Sequence, residues 1–243
     1  MIDFPPYENL QKIGPQMVVS IMEKVNQGFS DKNVPIPNRI ESINYLRSLR
    51  KYYFSYFIEL FGALKTKFFK NCLHYNENPR IQQISLCFIK EIFDDDDSYR
   101  LSNEMVYDIY YEIIQFVEYN NNNVLKEMAK SAIKTMSEKV INDAKIIVLI
   151  ETLKNADENL CSFIFECFKN AIESLKGYIY LNYNFNDILD KLNLDEASED
   201  YLLKIRRIFH ILKNSLDEND KKEIFSNLKL KEDNYSLYQE LTS

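Results

Sequence analysis

Residues 81–92 read IQQISLCFIKEI, and their apolar side chains recur at the spacing of one helix face. Positions three and four residues apart lie on the same side of an α-helix, so this spacing predicts an amphipathic helix. The positions that form its stripe are Ile81, Ser85, Phe88, Ile89 and Ile92. A helix with such a stripe needs a neighbouring element to cover it.

The same pattern begins again at Leu125, Leu160 and Tyr201, which gives one start about every forty residues. The segment Arg39–Leu49 is a further helical stretch ahead of these repeats. A period near forty with two helices per period is typical of HEAT-type arrays. One such hairpin cannot bury its stripe alone, so neighbouring hairpins must stack. The repeat therefore predicts an all-α solenoid of about five to six HEAT-like helical hairpins.

The composition agrees with long helices joined by short polar turns. Of the 243 residues, 46% are hydrophobic, 28% are charged and only four are Gly. Tight strand connections and phosphate-binding loops need more Gly, because that residue has no Cβ. We divide the chain into an N-terminal arm (1–14), a repeat domain (15–229) and a C-terminal tail (230–243). The predicted helices are Pro15–Gln27, Arg39–Tyr53, Ser55–Leu73, Arg80–Phe93, Asn103–Tyr119, Val124–Lys139, Asp143–Leu153, Leu160–Leu175, Asp187–Leu192, Tyr201–Ser215 and Ser215–Leu228.

Charge and motifs argue against several classes of function. The formal net charge is −7, whereas proteins that bind duplex nucleic acid usually carry a basic excess. The sequence contains no P-loop, G-x-S-x-G, G-x-G-x-x-G or H-E-x-x-H motif, and its two His residues suggest no metal centre. We expect a non-enzymatic protein with no cofactor, no metal ion and no nucleic-acid partner.

Targeting signals are not recognised either. The first ten residues, MIDFPPYENL, lack a basic leader followed by an apolar stretch. No apolar run approaches the ~18 residues of a membrane-spanning helix. The four Cys residues lie within apolar helical runs, as is usual for buried thiols in a reducing compartment. These observations predict a cytoplasmic protein that does not enter a membrane.

Five polar turns precede the five helical segments. In a stacked array, equivalent turns line up along one edge, whereas the inner helix faces are used for packing. We call this edge the turn ridge and predict that it binds a partner. Its turns are Gly28–Asn38, His74–Pro79, Asn120–Asn123, Lys154–Asn159 and Leu194–Asp200.

The segment Pro37–Leu49 resembles the opening of TOG and CLASP-type domains. In that family an Arg, an aliphatic residue and further leucines follow the first turn at helical spacing. Asn78–Ile81 and Asn122–Lys126 are similar to the second and third turns of the family, and Asn159–Leu175 resembles the fourth. The resemblance covers roughly residues 15–228.

The resemblance implies that the turn ridge binds the side of an αβ-tubulin heterodimer. Tubulin has an acidic surface, so Arg and Lys on short rigid turns would attract it and pair with it. The positions implied to contact tubulin are Ile36, Arg39, Asn78, Arg80, Lys126, Lys154 and Asn155. The family usually carries a Trp in the first turn, whereas this chain has no Trp and Ile36 lies near that position. The fifth turn is acidic (Asp195, Glu196, Glu199, Asp200), where the family tends to be basic.

Two functions remain open at this point. The first is a cytoskeletal module that binds tubulin or the microtubule lattice, located in the cytoplasm at the cytoskeleton, the axoneme included. The alternative is a HEAT-repeat scaffold or adaptor that holds another protein's helix or tail and has no tubulin role. Binding driven by a charged ridge should weaken at high ionic strength, whereas binding in an apolar groove should not.

Overall fold

A computed structural model describes residues 4–75, 78–94, 100–140, 144–175 and 198–215, together with Glu218. Every regular element within these residues is helical and none is a strand, which confirms the all-α prediction. Shorter helical turns accompany the α-helices at Tyr7–Asn9, Pro15–Met17 and Phe69–His74, the last of which is π-helical. The α-helices of the described residues are α1 (Val18–Gly28), α2 (Ile36–Tyr52), α3 (Phe54–Phe68), α4 (Pro79–Asp94), α5 (Asn103–Tyr119), α6 (Asn123–Lys139), α7 (Ala144–Thr152), α8 (Glu158–Leu175) and α9 (Glu199–Ser215).

Most observed helix ends lie close to the predicted ones. Helix α2 begins at Ile36, ahead of the predicted start at Arg39, because Pro37 fits a first helical turn, where an N–H has no intrahelical partner. The predicted helix Ser55–Leu73 is divided, since α3 ends at Phe68 and a π-helical turn follows it. Outside the described residues lie the predicted helix Asp187–Leu192, nearly all of Ser215–Leu228 and the tail of residues 230–243.

The chain divides into two compact units. Unit 1 contains Met1–Asp95 and Glu112–Ala132, and unit 2 contains Asp96–Tyr111 and Ile133–Ser243. Helices α5 and α6 each contribute residues to both units. The predicted division into arm, repeat domain and tail stays a prediction.

In unit 1, α2 packs against α1, α3 and α4. The close approach of α1 and α2 depends on Gly28, the last residue of α1. A Cβ at this position would lie 1.9 Å from the Oγ atom of Ser42 on α2. Any larger residue at position 28 would therefore push the two helices apart.

Five buried Phe rings form the centre of unit 1. Phe57 and Phe61 on α3 stack with their ring centroids 5.5 Å apart. Phe88 of α4 meets Phe68 edge to face at 5.7 Å, and Phe29 meets Phe68 in the same way at 5.5 Å. Edge-to-face rings match the charge distribution of the aromatic π-system and bury a large apolar area. The cluster joins α3, α4 and the start of the α1–α2 loop.

Side-chain contacts also join alternate helices of unit 1. The Arg47 guanidinium on α2 donates to both carboxylate oxygens of Glu91 on α4, at 2.6 and 2.7 Å. The Nζ atom of Lys90 on α4 lies 3.5 Å from the Oγ atom of Ser131 on α6. Helix α2 thus contacts α4, and α4 contacts α6.

Unit 2 shows the same kind of order. Lys134 on α6 pairs with Glu166 on α8 at 2.7 Å, and the Arg207 guanidinium on α9 lies 4.5 Å from the centroid of Phe165 on α8. Helix α7 packs against α8. Alternate helices that touch along the chain are what stacked hairpins require, although the solenoid itself stays a prediction.

Candidate interaction surface on the turns

Three of the five predicted turns lie entirely in the described residues, and the second does so except for residues 76–77. They connect α1 to α2 (29–35), the π-helical turn to α4 (75–78), α5 to α6 (120–122) and α7 to α8 (153–157). The first three turns belong to unit 1 and the fourth belongs to unit 2. Of the fifth turn, the structure describes only Ser198, Glu199 and Asp200, and the predicted start at Leu194 lies outside the described residues.

Arg39 does not belong to the exposed surface, and its prediction as a contact residue is corrected here. Its side chain is fully buried in unit 1. The Nε atom donates to the carbonyl of Val34 at 3.0 Å, and Nη1 donates to the carbonyl of Asn71 at 2.6 Å. Nη2 donates to the carbonyl of Asp31. The guanidinium was expected to face a partner, but it donates instead to three main-chain oxygens of the same chain.

Arg39 instead holds the first turn in place. Two of its acceptors, Asp31 and Val34, are in the turn, and the third, Asn71, is in the π-helical turn after α3. Asn71 completes this connection, because its Nδ2 atom donates to the carbonyl of Phe29 at 2.8 Å. A buried guanidinium with satisfied donors fixes its surroundings because each broken bond leaves a buried polar group unpaired.

The start of the second turn contacts α5. His74, the last residue of the π-helical turn, has its Nε2 atom 2.7 Å from a carboxylate oxygen of Glu112. Its ring centroid also lies 6.3 Å from that of Phe116. Phe116 is one turn before Tyr119, the last residue of α5, so the second and third turns lie on the same side of unit 1.

An N-cap side chain begins the helix after each of the last four turns. The Asn78 Oδ1 atom accepts from the Arg80 backbone N–H at 3.0 Å, and the Asn122 Oδ1 atom accepts from the Val124 N–H at 3.0 Å. Asp157 Oδ1 accepts from the Leu160 N–H at 2.7 Å, and Ser198 Oγ accepts from the Tyr201 N–H at 3.2 Å. Such caps satisfy N–H groups that the helix itself leaves without acceptors. Asn78 thus has a capping role, whether or not it also contacts a partner.

The remaining predicted contact residues are at least partly accessible. Arg80 is exposed, while Ile36, Asn78 and Lys126 are half-buried. Lys154 and Asn155 are exposed on the fourth turn, in unit 2. Of the predicted contact residues of unit 1, the first turn therefore keeps Ile36 on the surface but not Arg39. The second and third turns have one accessible cation each, Arg80 and Lys126.

Three exposed apolar residues flank the second and third turns, and they were not among the contact residues predicted from the sequence. Tyr75 is 66% exposed, Tyr119 is 69% exposed and Val124 is 70% exposed. The Nζ atom of Lys70 lies 5.5 Å from the ring centroid of Tyr75. These residues could have been identified from the sequence, because each is an aromatic or β-branched residue directly beside a polar turn. Core residues lie within the apolar stripe of a helix instead.

One acid at the end of the fifth turn is paired with a lysine. Asp200 at the start of α9 pairs with Lys204 one turn later, with an Nζ to Oδ2 distance of 2.7 Å. Lys204 also donates to the carbonyl of Ala156 in the fourth turn at 3.0 Å. Both turns belong to unit 2, so this lysine joins them. The acids Asp195 and Glu196 lie outside the described residues.

A recess of about 350 Å³ opens beside the first turn. Tyr45 lies in its wall, where its hydroxyl donates to the Glu41 carboxylate at 2.8 Å. Burial, with a smaller contribution from Glu41, raises the pKa of the Tyr45 hydroxyl above its ordinary value. Lys24 lies over the same ring, with Nζ 5.7 Å from the centroid. In this recess the phenol of Tyr45 thus contacts both the carboxylate of Glu41 and the amine of Lys24.

Unit 2 contains a buried amine away from the turns. The Nζ atom of Lys145 on α7 donates to the carbonyl of Ser137 at 2.9 Å and to the Oγ atom of Ser174 at 2.5 Å. The Tyr110 hydroxyl lies 3.1 Å from the Ser137 hydroxyl in the same network. Burial lowers the pKa of the Lys145 amine to about 7. The side chain is fully buried, so it offers no reaction partner to a substrate in solution.

Two further findings concern the described residues. They contain no group of three or more His, Cys, Asp and Glu side chains that could hold a metal ion. In those same residues, each helix is too short or too polar to cross a membrane. Comparison of the sequence with known protein families and with curated proteins finds no match for this chain.

Proposed function

We propose that this chain is a non-enzymatic interaction module whose turn ridge binds a protein partner, and that the partner is tubulin or the microtubule lattice. The observation that carries the proposal is the pairing of exposed apolar side chains with cations that are exposed or half-buried, at the second and third turns of unit 1. Tyr75 and Arg80 flank the second turn, and Tyr119, Val124 and Lys126 flank the third. The choice of tubulin rests on the family resemblance.

The physical properties of these residues suit an acidic, folded partner. Tyr combines a large apolar surface with a polar tip at little conformational cost, and it is among the residues enriched at energetic hot spots. Arg and Lys at the rim of such anchors increase the rate of encounter with a negatively charged surface. Tyr75 and Tyr119 would supply the aromatic anchors that a first turn without Trp does not.

The hydrogen bonds at the ends of the turns support the same proposal. Asn78 and Asn122 cap the helices that follow the second and third turns, and Arg39 holds the first turn. A surface that is already ordered loses little conformational entropy when it binds. That the hairpins form a HEAT-type solenoid of about five to six units belongs to this proposal as well, and the order of helix contacts within each unit supports it.

The test compares binding of tubulin and microtubules by the wild type and by Arg80→Glu/Lys126→Glu. We expect co-sedimentation with microtubules, and a size-exclusion shift with tubulin, to weaken at least about tenfold in the double variant, because two cations become anions opposite an acidic surface. The matched control is Lys12→Glu/Lys169→Glu, which makes the same change in net charge at exposed positions away from the turns. If both double variants lose the same amount of binding, the turns are not the binding surface.

The apolar anchors require a separate comparison. Tyr75→Ser/Tyr119→Ser should also weaken binding, whereas Tyr56→Ser, at another exposed Tyr, should not. If the wild type binds neither tubulin nor microtubules at low salt, the cytoskeletal function is wrong.

A scaffold or adaptor without a tubulin role is the second candidate. The exposed Tyr119 and Val124 favour it, since they make the third turn more apolar than a purely electrostatic contact needs. Ionic strength separates the two functions. Tubulin binding through the ridge should weaken between about 50 and 300 mM salt, because screening shortens the range of charge attraction, whereas a partner held by apolar anchors should stay bound.

A further inference from the structure

The N-terminal arm follows a groove on the second half of α2. Arg47 Nη2 donates to the carbonyl of Pro5 at 2.8 Å. Lys51 Nζ donates to the carbonyls of Tyr7 and Glu8 at 2.9 and 2.8 Å. Three main-chain oxygens of the arm are thus bound by two cationic side chains of one helix.

Two Tyr hydroxyls continue this pattern toward the end of the arm. Tyr52 donates to the carbonyl of Leu10 at 2.8 Å, and Tyr53 donates to the carbonyl of Ile13 at 2.6 Å. We call the surface formed by Arg47, Arg50, Lys51, Tyr52 and Tyr53 the arm groove. Because most of its polar contacts reach main-chain carbonyls, which every residue possesses, the groove recognises the path of the main chain more than a particular sequence.

Two aromatic rings of the arm provide the sequence-dependent contacts. Phe4 lies over the Arg47 guanidinium, with 3.7 Å between Cζ and the ring centroid. The Tyr7 ring lies 5.4 Å from both Arg50 Cζ and Lys51 Nζ, and its hydroxyl accepts from Arg50 Nη1 at 2.7 Å. Rings above cations at these distances attract through the ring quadrupole.

The Pro5-Pro6 pair explains why both rings reach the same helix. Pro6 has φ −52° and ψ 147°, which is near polyproline II geometry. That helix has three residues per turn, so Phe4 and Tyr7 project to the same side. Proline also limits the conformations of the free peptide, which lowers the entropy lost on binding.

The groove is ordered by contacts that do not involve the arm. Arg47 is bound at both carboxylate oxygens of Glu91, and its Nη1 atom donates to Asn44 Oδ1 at 3.0 Å. Arg50 Nη2 donates to the carbonyl of Ile92 at 3.3 Å. The two guanidinium groups would therefore keep their positions if the arm left the groove.

We propose that the arm groove is a binding site for peptides that carry two aromatic residues three positions apart, joined by a polyproline II segment, and that the arm is its tethered occupant. A peptide of this chemistry, such as the arm of a second copy of the chain, competes with the arm for the groove. The site lies at the opposite end of α2 from the first turn, so it is separate from the turn ridge and independent of the proposed function.

The experiment uses the full chain and a synthetic peptide of residues 4–13, FPPYENLQKI, labelled at its C-terminus for fluorescence polarisation. The tethered arm occupies the groove at high effective concentration, so the wild type should bind the peptide weakly. Phe4→Ala/Tyr7→Ala in the protein removes both ring contacts of the arm and frees the groove. We expect this loosened-arm variant to bind the peptide at least about tenfold more tightly, because apparent affinity scales with the fraction of open sites.

Two controls separate the groove from unspecific binding. A peptide with alanine at both aromatic positions should bind the loosened-arm variant about tenfold more weakly than the native peptide. Adding Lys51→Ala and Tyr52→Phe to that variant should weaken binding of the native peptide, since donors to three carbonyls are lost. Circular dichroism at 222 nm establishes that each variant is folded.

Tyr7→Phe provides the milder test if the double variant does not fold. It removes only the hydroxyl that binds Arg50, and it should raise peptide affinity by a smaller factor. The proposal is overturned if neither variant binds the peptide more tightly than the wild type. It is also overturned if the native and alanine peptides bind equally, because the arm would then be a structural strap only.

Discussion

Two fully buried cations, Arg39 in unit 1 and Lys145 in unit 2, show two ways in which this chain accommodates a charge away from water. Each is held by oxygen atoms of the chain, and within the described residues neither pairs with a carboxylate. Arg39 donates to three carbonyls, whereas Lys145 donates to one carbonyl and one hydroxyl. Burial of a charge is unfavourable unless such partners replace the lost water.

The guanidinium of Arg39 and the amine of Lys145 differ in whether they can lose a proton, so they affect stability differently. A guanidinium does not lose its proton in proteins, so Arg39 keeps its charge and depends on its acceptors at every pH. The amine of Lys145 has a pKa of about 7 and can lose its proton instead. The anchor of the first turn is therefore independent of pH near neutrality, while the buried amine of unit 2 makes stability depend on pH.

The largest effect should follow from removing the guanidinium. Arg39→Met leaves the carbonyls of Asp31, Val34 and Asn71 without this donor, that of Asn71 in a buried site and the other two in part-buried sites. We expect a loss of about 3–5 kcal/mol in the free energy of unfolding, because each buried carbonyl left without a donor costs about 1–3 kcal/mol and a part-buried one costs less. Urea unfolding followed by circular dichroism measures this change.

Arg39→Lys sharpens the same prediction. A lysine keeps the charge but lacks the planar fork that reaches three acceptors, so about half of the loss should remain. Lys32→Met, in the exposed part of the same turn, should change the free energy of unfolding by less than about 0.5 kcal/mol. If Arg39→Met unfolds at the urea concentration of the wild type, the first turn is not held in the way described.

A smaller effect, with a clear sign, is expected for the buried amine. The pKa of Lys145 is about 7 in the folded chain and near 10.5 in the unfolded chain, so between these values the unfolded chain binds more protons. The free energy of unfolding should therefore rise as pH increases above 7, by at most about 1.4 kcal/mol per pH unit. Below pH 7 the full penalty of burying the ammonium is present.

The comparison with Lys145→Met isolates this contribution. The variant should lose the rise between pH 6.5 and pH 8.5 and should be more stable than the wild type at pH 6.5. Lys169→Met, at an exposed position of α8, should keep the rise. Burial raises the pKa of Cys167 to about 12, which lowers stability at high pH, so the measurement belongs below pH 9. Parallel pH profiles of wild type and Lys145→Met would contradict the assignment.

The helices could be predicted from sequence because their signal is local. The stripe that begins at Ile81 and the cap at Asn122 are read within one or two helical turns, and α4 and α6 begin and end close to the predicted residues. The π-helical turn after Phe68 was not predicted, since the aromatic stripe continues through it without a Gly or Pro.

The environments of the two cations could not be predicted in the same way. Arg39 follows a polar turn at a helix start, which usually indicates an exposed residue, and its burial depends on Asn71, 32 residues later. Lys145 left a clearer signal, because it lies in the run AKIIVLIET, whose other residues near it are apolar. A lysine inside a short helix that is apolar on all sides indicates a buried amine.

The arm illustrates the same limit. The arm contains Pro5-Pro6, with Pro6 near polyproline II geometry, and the sequence contains the basic and aromatic run RSLRKYY at residues 47–53. Nothing local relates the two, since the contacts join residues about forty positions apart in the chain. Long-range contacts of this kind require the fold before they can be recognised.

The smallest predicted effect tests how the amine of unit 2 is held. Ser174 on α8 accepts from Lys145 and donates to the carbonyl of Ser137 or of Ala171, at 3.1 and 2.9 Å. Ser174→Ala removes one of the two acceptors of the amine, which should cost about 1 kcal/mol at pH 6.5, where the ammonium predominates. The cost should shrink by pH 8.5, because a neutral amine is a weaker hydrogen-bond donor than an ammonium.

Ser162→Ala on the same helix is the matched control, since its hydroxyl also donates to a carbonyl one turn earlier, that of Glu158 at 3.1 Å, but is exposed. It should change stability by less than about 0.5 kcal/mol at either pH. A loss for Ser174→Ala that is equal at both pH values would show that the hydroxyl matters to the backbone of α8 and not to the charge of Lys145. A loss that becomes smaller as pH rises would show that Ser174 binds the charged form of the Lys145 amine. The contact of Lys145 would then depend on pH, unlike those of the permanently charged Arg39.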